Sequence, residues 1–184
     1  MIGRARQITK YFALILIAIQ GLSLSAKDPQ KTPIFTEYGP VYEIKNRDVK
    51  LRDDFTYKAV FDVANTANSP EDYSRRLESV ARFINMHALN GVPLEKMQLA
   101  VVMHSKASKD AMSNAAYQKK YQLDNPNIAL IEQLASKGVK FYICGQSASF
   151  MGIEKEHLIK PVKLALSAMT QLVVLQSEGY ALLP

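Results

Sequence analysis

One cysteine stands in this sequence of 184 residues, Cys144, within the stretch GVKFYICGQSASFMGI over positions 138–153. A thiol attacks and is modified as the thiolate, so its chemistry depends on whether its surroundings favour the anion. Val139, Phe141 and Ile143 alternate with Lys140 and Tyr142, which predicts a buried strand over Val139–Cys144 with the cysteine at its carboxyl end. Gly145 then lets the backbone turn, and a short helix over Gln146–Met151 points its first free amides back at the sulfur. The positive end of that helix favours the thiolate. Gly145, Gln146 and Ser147 are thus the expected supports of Cys144.

Nucleophilic chemistry also needs a proton partner, and His104 closes a second strand-like run, MQLAVVMH over 97–104. Two readings of it stay open: a base lying across neighbouring strand ends from Cys144, or a terminal histidine packed against its neighbours. His87 falls beside the apolar stripe of a predicted helix and reads as a packed residue. His157, in the polar connection IEKEHLIKP, reads as solvent-exposed. The three histidines and Cys144 lack the paired spacing of zinc sites, so no metal is expected. The first strand-to-helix turn, DVANTANSPED, lacks the glycine fingerprint of a dinucleotide site, and no cofactor is implied.

The elements that must position these groups follow from the hydrophobic pattern. Tyr57 opens the strand-like run YKAVFDVAN, which carries Asp62. Ser69-Pro70-Glu71-Asp72 has the chemistry of a helix start, and Tyr73, Leu77, Val80, Ala81, Ile84 and Ala88 recur at helical spacing, so a helix is predicted over Pro70–Leu89, closed by Asn90-Gly91. An Ala-rich helix with Ala111, Ala115, Ala116 and Tyr117 on one face follows the second strand. Asn125-Pro126 restarts the chain as a helix that buries Ile128, Ile131, Leu134 and Ala135 and ends at Gly138. Val162–Ser167 is the fourth strand, Ala168–Glu178 a helix with Leu172, Val173 and Leu175 inward, and Tyr180–Leu183 a short final strand at an edge or completing a subunit contact. Strands alternating with helices predict a three-layer α/β/α sandwich around a mainly parallel sheet of about five strands. Ligands of such sheets sit at the carboxyl edge, where these assignments place Asp62 to Asn65, His104 and Ser105, Cys144 to Ser147, and Ser167.

Composition is that of one globular domain: 48% hydrophobic, 22% charged and no low-complexity tract. Residues 1–26 read as a secretory signal, with a basic start, the uncharged run YFALILIAIQGLSLSA and small residues suited to cleavage after Ala26 or Ser25. The run is short of the ~20 residues that span a bilayer, which argues against an uncleaved anchor. The formal charge of +6 falls to +3 once Arg4, Arg6 and Lys10 leave with this segment, and no clustered Lys/Arg points to nucleic acid. Residues 27–54 read as an extended arm packing through Ile34, Phe35, Tyr38, Val41 and Tyr42, or reaching another subunit, and the regular domain as 55–184. Export makes a periplasmic or secreted address the expectation. An oxidising compartment favours paired cysteines, so a lone Cys144 is an inert buried thiol, an intermolecular bridge, or a reactive group kept reduced or modified by a partner.

Taken in order, KAVFDV, LAVVMHS, AAYQKKYQLDNPNIALIEQLASKGVKFYICGQSASFMGI and LIKPVKLALSAMTQLVVLQSEGYALLP resemble the DsrE/DsrF-like family of small sulfur-relay proteins, in its exported branch. The likeness covers most of 57–184, and the preceding EYGPVY is also similar to exported members. The resemblance implies a parallel α/β/α sandwich, a homo-oligomer (trimer or hexamer), and a cysteine that carries sulfur as a persulfide between donor and acceptor proteins. That position matches Cys144, with backbone amides of Gly145–Ser147 steadying the sulfur and His104 as its proton partner. The resemblance therefore implies a sulfur carrier or sulfurtransferase. The other reading is a non-catalytic oligomeric binding protein of the same fold with an unreactive cysteine.

Overall fold

The computed structural model describes residues 33–184; the expected signal segment, 1–26, lies outside them. Five strands, β1 (Tyr57–Val63), β2 (Met97–Met103), β3 (Lys140–Cys144), β4 (Val162–Ala165) and β5 (Ala181–Leu183), form one all-parallel sheet in the order β4-β3-β2-β1-β5. The chain steps outward from β1 to β4, then crosses back to place β5 on the far side of β1. Right-handed crossovers therefore put the helices after β1, β2 and β3 on one face and the helix after β4 on the other. These are α1 (Arg75–Leu89), α2 (Asn114–Tyr121), α3 (Ile128–Ser136), α4 (Gly145–Phe150) and, alone on the second face, α5 (Ala168–Ser177).

Side-chain alternation divides the core accordingly. Phe61, Val101, Met103, Phe141 and Ile143 pack under α1, α3 and α4 with Leu77, Ile84, Leu130, Leu134 and Ala148. Val60, Ala100, Val102 and Cys144 pack under α5 with Ala168 and Leu175. The two-residue period of a strand makes every second position belong to one layer, so parity assigns each functional side chain to a face.

Several boundaries differ from the sequence pattern, each because a tertiary hydrogen bond outcompetes a local signal. The first helix starts at Arg75 rather than Pro70: Ser74 caps it by accepting from the Leu77 amide, and the Ser74 amide itself donates to Asn127 Oδ1 at 2.7 Å. Ser69-Pro70 forms a turn instead, held by the Tyr117 hydroxyl donating to the Pro70 carbonyl. Asn125 does not cap α3; its amide group donates to the Asp110 and Met112 carbonyls, and Asn127 occupies the cap position. The predicted helix after β2 begins as a 3₁₀ segment, Ser105–Ala111, before α2. On α2 Ala116 and Tyr117 are buried, but Ala115 is exposed. On α5 Leu175 is buried and Leu172 half-buried, whereas Val173, predicted inward, is 66% exposed. His87 is packed as expected, stacked on Phe83 with Nδ1 against its carbonyl. His157 is half-buried rather than exposed, because its Nδ1 accepts from the Glu154 amide in a reciprocal cap.

The arm docks on α1. Phe35 and Val41 are buried, Ile34 and Tyr38 half-buried, and Tyr42 stays exposed. Asn85, fully buried, accepts from the Phe35 amide and donates to the carbonyls of Phe35, Tyr38 and Gly39. Glu78 accepts from the Gly39 amide and pairs with Arg75 at 2.9 Å. Burial pushes the Glu78 carboxyl up, but the Arg75 guanidinium and the Gly39 amide outweigh it and hold the group below its ordinary value.

Candidate functional site

Cys144 ends β3 at the carboxyl edge, at the place where the sheet's following helices part: α4 leaves on one face and α5 on the other. This is the topological switch at which crevices form in parallel sheets. Cys144 is 6% exposed, so most of its side chain is shielded from solvent. Its surroundings are polar on one side. The Ser147 hydroxyl and the backbone amides of Ser147, Ala168 and Gln146 are the groups that favour an anionic sulfur there. Burial pushes the thiol up, but these four donors outweigh it, and the thiol lies below its ordinary value. Two of the amides belong to the start of α4 and one to the start of α5, so helix starts on opposite faces converge on one atom.

Gly145 serves this convergence by close approach, not by turning. It is the first residue of α4, absent from the positive-φ positions, and a Cβ there would stand 2.5 Å from the Ala165 carbonyl oxygen and 3.1 Å from that of Leu166. The missing side chain lets the end of β4 close over the start of α4. Gln146, though exposed, ties the same two segments, its Nε2 donating to the Leu166 carbonyl at 3.4 Å. Ser167 then caps α5 by accepting from the Thr170 amide, which fixes the direction of the Ala168 amide.

His104 follows β2 in an extended conformation. Met103 pairs with Ile143 in the ladder, so the next step of the register sets His104 beside Cys144, with strands about 5 Å apart. Parity puts both on the α5 face. Asp62, two residues after Val60 on β1, shares that face. His104 Nε2 lies 2.8 Å from Asp62 Oδ1 and Nδ1 lies 3.0 Å from Ser105 Oγ. Ser105 is held at φ +50°, a left-handed conformation costing about 1 kcal/mol or more outside glycine. That turn sends its amide to Ser147 Oγ at 3.0 Å. Ser147 Oγ, with its acceptor duty met by Ser105, has its own proton left for Cys144.

The sequence-expected residues Cys144, Gly145, Gln146, Ser147 and His104 thus come together. Ala168 was missed as a member of the site, and Asp62, though placed at the carboxyl edge by the strand pattern, was not read as the partner of His104. Asp62 was legible as a carboxylate near the end of its strand; nothing local marked Ala168, whose part depends on β4 closing against α4. Behind the edge, Asp110 Oδ1 accepts from Thr66 Oγ1 at 2.6 Å and Asn127 Nδ2 at 3.3 Å, binding the turns after β1 and β2 to the start of α3. Among the described residues no group of three or more His, Cys, Asp or Glu is arranged to hold a metal, and no helix is long and apolar enough to cross a membrane.

The model of the DsrE/DsrF-like family matches residues 58–184, well over half of the chain. The chain belongs to the DsrE/DsrF-like family. The match begins at β1, so the docked arm lies outside it. Among solved structures the chain is similar to MTH1491, a protein of unknown function from Methanobacterium thermoautotrophicum, at 21% identity and TM-score 0.52, covering 69% of this chain and 97% of that one. It is also similar to the ychN protein of E. coli at 17% identity and TM-score 0.49, covering 68% and 96%. No curated protein matches the chain. Membership of the DsrE/DsrF-like family accords with the five-stranded parallel sheet and places Cys144 within the family's matched region.

Proposed function

We propose that this DsrE-like protein carries sulfur as a persulfide on Cys144. The observation that supports the reading best is the cradle in which the amide-bearing starts of α4 and α5 converge on Cys144 at the carboxyl edge of the sheet, which favours an anionic sulfur at a position buried on its other side. Loading is attack of the Cys144 thiolate on the outer sulfur of a donor persulfide or polysulfide. The new bond joins Cys144 to that sulfur, and the donor leaves as a thiolate. The same amides then hold the anionic sulfur when an acceptor collects its cargo.

The sequence of residues 1–26 supports export to the periplasm or beyond. A homo-oligomer, trimer or hexamer, is the expected assembly. Its support is an exposed apolar strip on β4, the turn after it and α5, made by Leu164, Leu166, Met169, Val173 and Val174.

The experiment is exposure of the purified protein to sodium polysulfide followed by mass measurement. One added sulfur on Cys144, lost in Cys144→Ser, is the expected result; no adduct under mild reducing conditions rejects the carrier. The 6% exposure of Cys144 favours the second reading, a binding protein with an unreactive thiol. That reading expects slow alkylation of the native protein and fast alkylation after unfolding.

A further inference from the structure

We propose that Asp62, His104 and Ser105 form a proton relay for the acceptor half of sulfur transfer, the step in which an incoming thiol takes the sulfur from Cys144. The inference rests on the carrier reading above and deepens it. Loading needs no base, since the cradle already favours the thiolate. Unloading is different. An acceptor arrives largely as the thiol R–SH, and the polar groups that favour the anion at Cys144 are three amides and one hydroxyl, none of them a base. Something beside the cradle has to take the acceptor's proton.

The geometry assigns that task to the neighbouring strand ends. Asp62 Oδ1 sits 2.8 Å from His104 Nε2, so the carboxylate takes the Nε2 proton as its hydrogen bond and leaves a lone pair on Nδ1. Ser105 Oγ, 3.0 Å from Nδ1, gives its proton to that lone pair, which leaves the hydroxyl oxygen ready to accept from a substrate. Ser105 is exposed, and its amide donates to Oγ of Ser147, the residue whose hydroxyl favours the anion at Cys144. The relay and the cradle therefore share one side of the edge. Asp62 is the one acid paired with His104 among the described residues. The flanking helices α4 and α5 carry no charged side chain, Lys106 next along the chain is exposed, and Cys144 is the titratable group opposite on β3.

The step balances without an added oxidant or reductant. R–SH and Cys144–S–S⁻ become R–S–SH and Cys144–S⁻. The acceptor's proton passes to Ser105 as the Ser105 proton passes to His104, and Asp62 steadies the imidazolium. The acceptor sulfur bonds to the outer sulfur, the bond to Cys144 breaks with its electron pair staying on Cys144, and the imidazolium returns its proton through Ser105 to the transferred sulfur. Cys144 is reduced by as much as the acceptor sulfur is oxidised. Ser105 touches the acceptor; Asp62 is a positioning residue that acts through His104.

The test loads the full chain with polysulfide, removes the excess, and follows loss of the extra sulfur by mass at neutral pH to two probes, 2-mercaptoethanol and sulfite. Sulfite attacks as an anion with no proton to surrender. In Asp62→Asn and His104→Gln the ratio of thiol rate to sulfite rate should fall roughly 10- to 100-fold, the usual worth of a positioned base, and recover as rising pH ionises the thiol unaided. Asp62→Glu should restore part of the ratio. Loaded variants with a wild-type ratio overturn the relay and leave the carrier standing, as does an equal loss of both rates. A wild-type chain that never gains sulfur overturns both.

Discussion

Replacing Gly145 by alanine tests whether the thiol cradle depends on backbone contact between two crossovers. The added Cβ would lie 2.5 Å from the Ala165 carbonyl oxygen and 3.1 Å from that of Leu166, and both obstacles are backbone. Relief therefore requires β4 to withdraw by about half an ångström or more, because carbon and oxygen rarely approach within 3 Å. β4 is an edge strand held to β3 over the four pairs from Phe141–Val162 to Cys144–Ala165, so withdrawal strains its last rungs. Overpacking of this kind costs about 2–3 kcal/mol, and for a domain of this size that lowers Tm by about 5–10 °C. Gly138→Ala is the control: it sits at φ +88° with open space around it, so it carries conformational strain of about 1 kcal/mol but no clash. The assay is thermal unfolding of both variants, with the pH dependence of Cys144 alkylation measured on the folded proteins. Gly145→Ala should lose more stability than Gly138→Ala, and its alkylation profile should move to higher pH as the Ala168 amide retreats with the start of α5. A Gly145→Ala protein as stable as wild type with an unmoved profile would refute the close-approach argument.

Two further outcomes follow from the same structure. Asn85→Ala removes four hydrogen bonds to the arm and strands buried backbone carbonyls, which should cost about 2–4 kcal/mol and open residues 33–54 to proteolysis; an arm that stays protected rejects the clip. The Cys144 thiol titrates lower folded than unfolded, so its contribution to stability is complete above the unfolded value and disappears as pH falls through the folded one. Urea unfolding between about pH 7 and 10 should therefore show wild type gaining on Cys144→Ala as pH rises, and parallel curves would count against a favoured thiolate.

Periodicity and residue type carried most of the architecture. The runs YKAVFDV, MQLAVVM and KFYIC are strands, as alternation and β-branched or aromatic content that bury one or both faces predict. Helix starts were less legible. Ser69-Pro70 and Asn125-Pro126 carry local start chemistry, yet Tyr117, Asn127 and the Asp110 carbonyl draw the same polar groups into tertiary bonds that local spacing does not encode. Gly145 reads as a turn residue in one dimension, and only the distance to β4 reveals its other role.

The sequence by itself determined the alternation of strands and helices and the place of Asp62, His104 and the thiol at the strands' carboxyl edge. The order β4-β3-β2-β1-β5 was decided by the tertiary structure, and with it the neighbours each strand end has. From that order come the second helix start at the sulfur, the Ser105 amide on Ser147 and the carboxylate on His104. The physical reason is range: hydrophobic period is a property of adjacent residues, whereas a hydrogen bond across crossovers exists only once chain entropy has been spent to bring distant segments together.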